Sequence, residues 1–499
     1  DEVIIAADSE SKLVAQQPIS ITSLDAKTLQ VQSVSAADVL RLSTGVAVRR
    51  SGALGSDANV ELGGLSGGAV RVFYDGIPLE YIGSGFDLTN IPVGMIDRVD
   101  VYKGVMPIDK GTDALAGGIN IVPRNYTNDR LEVSYEGGSF NTHRGAILGS
   151  KILNKNLSLS FKGFANYSDN DYTMDDIIVI RQDTVPNQIG GGVTIQSREE
   201  VFDDVRRFHN QHRSVFAELG IHLQDLPWAE SLEYFVNVSD RTDQLQNGFQ
   251  ITDRAASAAT IESGAILQRI KYKNRFLDNK LEVGYQGIYI LGRQRNRDAT
   301  FVQKNWLEEV IRTDDRLFPE LAGTPTDRDV DRDSHVHRIK LGYKISEDHQ
   351  LTLTNFFAGL TVQGTDVLNS FETPEGIILD AAAVPFRLDK NIAGFEWNAK
   401  WLKSKKLNTI AFVKQYYYFL EGATRPRNTD LVTALPTSLV SETASGYGLG
   451  IKYAATDGFL VRGSLENAFR VPSETETFGN LVTVEPNLDL TPDQSLNAN

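Results

Sequence analysis

Hydrophobic and polar residues alternate along most of the chain after residue 126. At 157–162, 281–286 and 351–354, apolar side chains stand at every second position, with polar or small residues between them. A period of two is typical of β-strands that have one apolar and one polar face. On alternation alone, a soluble sheet with one wet face is the first interpretation.

The same pattern predicts about thirteen strands, most of them ten residues or longer. That length is sufficient for a tilted strand to cross a bilayer. The predicted strands lie near 131–138, 142–151, 157–167, 212–223, 231–240, 264–275, 281–292, 335–346, 350–362, 391–402, 406–420, 445–455 and 457–469.

The connections between these strands alternate between short turns and long polar loops. The short turns lie at 153–156, 277–280, 347–349, 404–405 and 456–458, and the long loops near 168–211, 241–263, 293–334, 363–390, 421–444 and 470–493. Barrels of the outer membrane place short turns on the periplasmic side and long loops outside, whereas a soluble sandwich has no reason for this asymmetry. The loop lengths therefore favour a transmembrane β-barrel over the soluble sheet.

Thirteen is an odd number of strands, and an open sheet in lipid would leave an unpaired edge, which a bilayer does not tolerate. We therefore expect the chain to hold about 13 strands of a barrel that has about 22 when complete, with the C-terminal strands missing.

The first 126 residues show a different pattern, in which glycine is clustered and both helix and strand segments are predicted. A helix is predicted at 35–42, with Ser35 as its N-cap and Gly45 after its end. Strand-like segments follow at 69–74, 96–102 and 118–122. This is the pattern of a small mixed α/β unit.

Composition and charge exclude several classes of function. The 499 residues include 50 Lys and Arg against 65 Asp and Glu, a net charge of −15, which argues against nucleic acid as a partner. The chain has no cysteine, so disulfides, Cys-ligated metal centres and thiol nucleophiles are absent. No Walker or H-E-x-x-H motif occurs, and we predict that the protein is not an enzyme.

Candidate metal ligands are sparse. The histidine pairs 209/212 and 335/337 each supply only two ligands, which do not make a site. The alternating aspartates at 327–333 resemble a calcium loop, but Arg332 stands where the turn glycine belongs, so a solvated loop is the better interpretation. The better calcium candidates lie in another outer loop; they are Asp169, Asp171, Asp175 and Asp176.

Four ordered blocks in the first 126 residues resemble the plug domain of TonB-dependent outer-membrane receptors. They are DVL at 38–40 with GVAV at 45–48, VFYDGIPL at 72–79, IDRVDVYKG at 96–104 and GTDALAGGINIV at 111–122. Further along, NAFRVP at 467–472 and NLDLTPD at 487–493 are similar to barrel blocks of the same family. The plug motif residues we single out are Asp75, Gly76, Arg98, Asp100, Gly104, Gly117, Gly118 and Asn120.

The sequence departs from the family pattern in three places. Gly63 and Gly64 stand where the family has an arginine followed by glycine, so a plug–barrel ion pair made by that arginine is in doubt. Asp100 replaces the usual glutamate, and Val105 stands where proline is frequent.

The resemblance implies a mainly β fold, with an N-terminal mixed α/β plug domain at 1–126 inside a large antiparallel transmembrane β-barrel from 127 to 499. It implies a location in the outer membrane of a Gram-negative bacterium, amid lipid and lipopolysaccharide, and TonB as the periplasmic partner. The segment expected to bind TonB is a Ton box formed by Asp1, Glu2, Val3, Ile4, Ile5, Ala6 and Ala7. The alternatives are a first plug strand there and a Ton box further upstream.

The expected ligand site lies in the outer loops. Arg293, Arg295 and Arg297 continue a strand at every second position, and Arg425 and Arg427 open another long loop. If they face the lumen together, they form a positive collar for an anionic chelate. The alternative is pairing with surface acids or with lipopolysaccharide phosphates.

The resemblance implies active uptake of a large, scarce nutrient, first of all a ferric siderophore or another iron chelate. Iron would then be present only as part of the transported ligand; no cofactor is required, although Ca²⁺ in the outer loops remains open. The alternatives are cobalamin, an oligosaccharide or another nutrient, and, in a different class, a secreted β-rich binding or adhesion protein.

Overall fold

The fold was analysed in a computed structural model of the chain. It describes residues 18–26, 35–50, 52–56, 58–82, 88–111, 113–125, 128–186, 193–247, 252–321, 323–372, 376–402, 406–423, 435–456, 459–473, 476–477 and 487–499. Within these ranges, no helix is long and apolar enough to cross a membrane.

The N-terminal unit, which we call the plug, consists of short strands and two short helices. The strands are β1 Ile21–Asp25, β2 Val46–Arg50, β3 Ala58–Leu62, β4 Leu65–Ser66, β5 Val70–Tyr74, β6 Ile77–Pro78, β7 Ile96–Lys103 and β8 Gly117–Pro123; the helices are α1 Ala36–Leu40 and α2 Leu79–Ile82, with 3-10 turns at Gly67–Ala69, Val93–Met95 and Ile108–Lys110. Helix α1 begins as predicted, with a capping box between Ser35 and Asp38.

Five of these strands form one sheet in the order β1-β7-β8-β5-β6, and β2, β3 and β4 form a second, smaller one. Strands β5 and β8 pair in parallel, whereas β7 pairs with β8 in antiparallel. The predicted mixed α/β unit is thereby confirmed, and β1 lies at the edge of its sheet.

The remainder is dominated by one antiparallel sheet of 14 strands, which we call the large sheet. All thirteen predicted strands occur in it, and a fourteenth follows. They are β9 Arg130–Gly138, β10 Thr142–Asn154, β11 Leu157–Ser168, β16 His212–Leu226, β17 Ala229–Gln244, β18 Thr260–Phe276, β19 Leu281–Asp298, β22 Thr326–Lys344, β23 His349–Asp366, β26 Phe386–Trp401, β27 Leu407–Ala423, β28 Thr437–Thr456, β29 Phe459–Arg470 and β30 Asp493–Ala498. Neighbours in this order pair with each other, and β9 and β30 are the edges.

The two faces of the large sheet differ in what they contact. On β23, Thr352, Thr354 and Phe356 are buried, the last two against Ile108 and Gly111 of the plug, while Leu353 is 50% exposed. On β11, Ser160 and Lys162 are buried and Leu159 is exposed. We call the plug-facing side the inner face and the opposite side the outer face; apolar side chains alternate onto the outer face as a lipid-facing surface requires.

Small hairpins extend the sheet at its long-loop end. Their strands are β12 Thr173–Met174, β13 Ile177–Pro186, β14 Val193–Phe202, β15 Val205–Arg206, β20 Thr300–Lys304, β21 Val310–Phe318, β24 Phe371–Glu372 and β25 Ile378–Leu379, with a 3-10 turn at Ala381–Ala383. Trp306, only 1% exposed, packs with Ile177, Val179 and Ala255, and its indole Nε1 donates to the carbonyl of Thr252. This cluster joins three successive long loops.

Candidate functional site

The Asp75–Gly76 turn of the plug is bound by charged side chains of the large sheet. Both residues have positive φ, 54° and 77°, which suits an Asp-Gly turn between β5 and β6. The Asp75 carboxylate lies 2.7 Å from a guanidinium nitrogen of Arg269 and also pairs with Lys271. Burial alone would raise the pKa of Asp75, but Lys271 and Arg269 outweigh it and lower the pKa to about 2. Asp75 is therefore ionised and anchors the turn to β18.

Gly76 adds a second contact at the same turn. Its N–H donates to Oδ1 of Asn120 at 2.8 Å, and its carbonyl accepts a hydrogen bond from Arg338 on β22. A Cβ atom at Gly76 would lie 2.7 Å from a guanidinium nitrogen of Arg338. The glycine is thus required both by the backbone conformation and by the approach of the arginine.

Of the other plug motif residues, Arg98, Asp100 and Gly117 act within the plug. Asp100 is 2% exposed, lies 3.3 Å from Nε of Arg98 and accepts a hydrogen bond from Oγ of Ser23 at 2.6 Å. A Cβ at Gly117 would meet the carbonyl oxygen of Tyr102 at 2.1 Å. These residues hold β1, β7 and β8 together and have no role that we can assign to ligand chemistry.

A second charged contact between plug and large sheet is centred on Asp113. Its carboxylate lies 3.0 Å from Arg71 of the plug and 3.0 Å from Nζ of Lys390 on β26. It also accepts the backbone N–H of Val471 at 3.1 Å. Burial raises the pKa of Asp113, but Arg71 and Lys390 outweigh it and hold the pKa well below its usual value. Arg71 and Lys390 also approach Glu80, whose side chain is 36% exposed.

A third contact clamps the backbone of the plug at Met106. Glu466 accepts the N–H of Met106 at 2.8 Å, and Nζ of Lys414 donates to its carbonyl at 2.9 Å. Lys414 and Glu466 are themselves 2.6 Å apart, with side chains only 2% and 1% exposed. One ion pair of the large sheet therefore satisfies both hydrogen-bonding groups of a plug residue.

The backbone around Met106 is held at further points. Asn497 donates to the carbonyl of Gly104 at 2.9 Å, and Thr354 donates to that of Ile108 at 3.1 Å. The plug connection between β7 and β8 is thus bound by residues of β23, β27, β29 and β30.

The sequence analysis missed the residues that supply these contacts from the large sheet. The absent family arginine at Gly63–Gly64 left a plug–barrel ion pair in doubt; the structure forms such pairs with Asp75 and Asp113 instead. Lys414 and Glu466 could have been found from the sequence, since each is an ionisable residue within a predicted membrane strand, whereas Lys390 lies just before the strand predicted at 391–402.

The structure places Arg293 and Arg295 on the outer face, in alternation with the buried Ile288 and Ile290 of the inner face. Arg293 pairs with Asp329 at 2.8 Å, and Arg295 with Asp327 at 2.8 Å. Arg297 lies on the same face of β19 and is opposite Asp327 of β22. The condition for a positive collar, that these arginines face the lumen, is therefore not met, because the strand continues in register and its alternation directs them outward. The pairing of Arg293 and Arg295 with aspartates matches the alternative interpretation, that these arginines pair with surface acids.

Arg425 and Arg427 lie outside the described residues, as does the predicted Ton box at 1–7.

The calcium candidates are not brought together. Asp169 accepts from Tyr167 and Asn141, Asp171 pairs with Arg206, Asp175 accepts from the backbone of Asp204, and the backbone N–H of Asp176 donates to Asp203. In the part of the chain that the structure describes, no three His, Asp or Glu side chains are arranged to hold a metal ion. The calcium prediction therefore gains no support from this geometry.

The histidine pairs have other partners. Nδ1 of His212 lies 2.6 Å from Asp243, and Nε2 of His209 lies 2.8 Å from the carbonyl oxygen of Ala259. The rings of His335 and His337 lie on the outer face, tilted by 51° with their centres 5.6 Å apart.

A plug seated against the inner face of a large antiparallel sheet, with long loops at one end, is the architecture of TonB-dependent receptors. Residues 14–118 match the family model described as the TonB-dependent Receptor Plug Domain. The resemblance predicted from the sequence and the predicted fold class are thereby confirmed.

Individual relatives agree with this assignment. Over 123 residues the chain is 32% identical to the Vitamin B12 transporter BtuB of Vibrio vulnificus (strain CMCP6), a match that covers 24% of this chain and 20% of the relative. Among solved structures, the Copper transporter OprC gives a TM-score of 0.67 at 16% identity and covers 96% of this chain and 68% of its own. The ferric yersiniabactin uptake receptor FyuA from Yersinia pestis gives a TM-score of 0.64 at 13% identity, and the match covers 97% of this chain and 69% of the receptor. At these identities the structural likeness shows the fold alone.

Proposed function

We propose that the protein is a receptor of the outer membrane of a Gram-negative bacterium that takes up a large, scarce nutrient in a TonB-dependent manner. The observation that carries the proposal is the plug itself. It packs against the inner face of the large sheet and is held there by the three polar contacts at Asp75, Met106 and Asp113. A domain held in this way can seal a barrel and still be displaced.

The cargo we propose first is a ferric siderophore or another iron chelate. Support comes from relatives of the same fold that are named as a siderophore receptor and a ferric yersiniabactin uptake receptor. Cobalamin is the second candidate, since the relative matched over the plug segment is named a vitamin B12 transporter.

The chemistry of uptake is non-covalent. The ligand binds at the long-loop end above the plug, TonB pulls on the N-terminal segment, and the plug rearranges so that the ligand can pass. Two states of the plug, seated and displaced, are sufficient for this cycle, provided that the ligand and TonB favour different states.

The test is the growth of a deletion strain on defined sources of iron, cobalamin and glycans, with and without TonB. A growth defect on one source that is reproduced by the loss of TonB supports the proposal and identifies the cargo. Normal growth on all sources, or recovery of the protein from the medium without detergent, would contradict it in favour of a secreted binding protein.

A further inference from the structure

The loop between β2 and β3 of the plug, residues 52–56, is held at the base of two long loops; we call it the apex loop. The carbonyl of Leu54 accepts a hydrogen bond from Nδ2 of Asn170 at 2.8 Å, and the carbonyl of Gly55 accepts one from Arg241 at 2.6 Å. Asn170 follows the end of β11, and Arg241 lies near the end of β17. The apex loop therefore contacts the large sheet where its first two long connections begin.

Gly55 is buried, has a φ of +82° and fits closely against a histidine ring. A Cβ atom at this position would lie 2.0 Å from Nδ1 of His212. The ring of His212 is held on both sides, since Nδ1 lies 2.6 Å from Asp243 and Nε2 lies 3.2 Å from Oγ of Ser214. Asp243 also pairs with Arg241, the donor to Gly55. The ring cannot move aside without giving up these contacts, so a side chain at position 55 would expel the apex loop.

A chain of polar contacts connects Asn170 with a buried group in the long loops, the Trp306 cluster. This cluster consists of Ile177, Val179, Val205, Ala255 and Trp306. The side-chain amides of Asn170 and Asn210 each donate to the other's backbone carbonyl, at 3.2 and 3.0 Å. Oδ1 of Asn210 accepts a hydrogen bond from Arg207 at 3.2 Å, and the buried guanidinium of Arg207 lies 5.6 Å from the ring centre of Trp306. Three residues thus connect the apex loop with Trp306.

The second long loop carries a further link. The buried Gln246 accepts the N–H of Ala256 with its backbone carbonyl at 2.8 Å and the N–H of Phe208 with its side chain at 3.2 Å. Ala255, the neighbour of Ala256, belongs to the Trp306 cluster. The long loops are therefore joined to one another and to the positions from which the apex loop is held.

We propose that the apex loop and the Trp306 cluster form one cooperative unit, in which the long loops keep their order only while the plug is seated. Asn170 and Arg207 are the positioning residues that carry the coupling. When the apex loop leaves, Asn170 and Arg241 lose their acceptors in the plug, and a polar group that loses a buried partner destabilises its surroundings. The coupling must act in both directions, because linkage between two sites is reciprocal.

This inference goes beyond the proposed function, since it concerns the protein before any cargo binds. Displacement of the plug would loosen the long loops, and loss of order in the long loops would loosen the apex of the plug. The long-loop end and the plug would then open together.

Trp306 permits a direct test, because it is the buried member of the four tryptophans of the chain. It is 1% exposed, whereas Trp228, Trp397 and Trp401 are 55%, 39% and 37% exposed. With those three replaced by Phe, acrylamide quenching of the purified full chain in detergent reports the opening of the Trp306 cluster alone. We expect Gly55→Ala to make the cluster open about 5- to 150-fold more often, the range of typical coupling between sites, and the quenching of Trp306 to rise accordingly.

Gly45→Ala is the matched control for Gly55→Ala. Gly45 has a φ of +80°, so alanine there carries the same backbone strain, but its Cβ would meet no heavy atom of the described residues within 4 Å. Unchanged quenching in Gly55→Ala, or an equal rise in both variants, would overturn the inference. If Gly55→Ala does not assemble, Asn170→Asp takes its place with the same outcomes, because aspartate keeps the size of the side chain and loses the donor to Leu54.

The reverse experiment perturbs the long loops and measures the plug. Trp306→Ala removes the centre of the cluster and should speed hydrogen exchange of the apex loop by a similar factor, whereas Phe301→Ala, in the same long loop but 51% exposed, should not. The response of Trp306 to Gly55→Ala should shrink in an Asn170→Ala background, which a purely local role of Asn170 would not produce. Unchanged exchange of the apex loop in Trp306→Ala would refute the cooperative unit. Neither experiment involves cargo or TonB, so the outcome is independent of the uptake assay.

Discussion

Replacing Lys414 by Met should loosen the plug at Met106. The side chains of Lys414 and Glu466 are 2% and 1% exposed and 2.6 Å apart, so the substitution leaves a buried carboxylate without its cation. Breaking a buried ion pair on one side costs about 3–5 kcal/mol. The Met106 carbonyl also loses its donor. If this cost falls on the seated state of the plug, local opening becomes about two to four orders of magnitude more frequent.

Hydrogen exchange of the peptide around Met106 measures this opening directly, because exchange of protected amides reports local unfolding. Lys151→Met is the matched control, since Lys151 forms an exposed pair with Asp129, and such pairs contribute about 0–1 kcal/mol. The double variant Lys414→Met/Glu466→Leu should exchange more slowly than Lys414→Met alone, because no charge is left buried. Exchange in Lys414→Met as slow as in the control, or a double variant worse than the single one, would refute this account of the clamp.

Three further predictions concern the sheet, the turn and energy coupling. Val283→Arg on the outer face should lower the yield of assembled protein in membranes, at a cost of about 2–4 kcal/mol near the bilayer midplane, whereas Glu282→Arg on the inner face should assemble normally; equal yields would contradict the assigned faces. Because the pKa of Asp75 is lowered to about 2, its contribution to the stability of the seated plug is complete above about pH 4 and is lost as the pH falls through 2, so Asp75→Asn should reduce acid-induced exposure of the plug to an acid-stable protease in that window; an unchanged acid response would contradict this role of Asp75. Val3→Pro and Ile4→Pro should abolish uptake but not ligand binding at the surface, since proline cannot donate a ladder hydrogen bond; undiminished uptake in both would place the Ton box elsewhere.

The long strands were predictable because their apolar band repeats every two residues, but their ends were not. Strand β19 runs to Asp298 and β22 begins at Thr326, well into segments that read as a long polar loop. There the backbone ladder continues without apolar side chains, with Arg295 and Asp327 among the residues that pair on the outer face. Hydropathy reports burial in an apolar environment and not hydrogen bonding, so this polar extension left no signal. For the same reason, the sequence left open which face Arg293 and Arg295 occupy.

The plug motifs were predictable for a different reason. Asp75, Gly76 and Asn120 meet a local geometric requirement, a turn with positive φ that is capped by an amide, and that requirement leaves its mark on the sequence. Their partners on the large sheet, such as Arg269, are about 200 positions away. Period-two alternation tells which residues share a face, but it does not tell which of them meets the plug. Contacts between residues so far apart in the sequence form only when the plug packs against the large sheet.

The chemistry of the seated plug bears on how it could leave its place. Many of the contacts run from side chains of the large sheet to backbone atoms of the plug, at Gly76, Gly104, Met106 and Ile108. A typical hydrogen bond contributes about 0.5–1.5 kcal/mol net, because water can replace either partner once the groups separate. Such an interface is specific in register, since each of these backbone groups meets a particular side chain of the large sheet, yet its contacts can open one at a time as water replaces them. A continuous apolar interface would instead expose its whole area to water, and no new interaction with water would offset that cost. The polar clamp is therefore suited to a plug that is displaced by force and seated again.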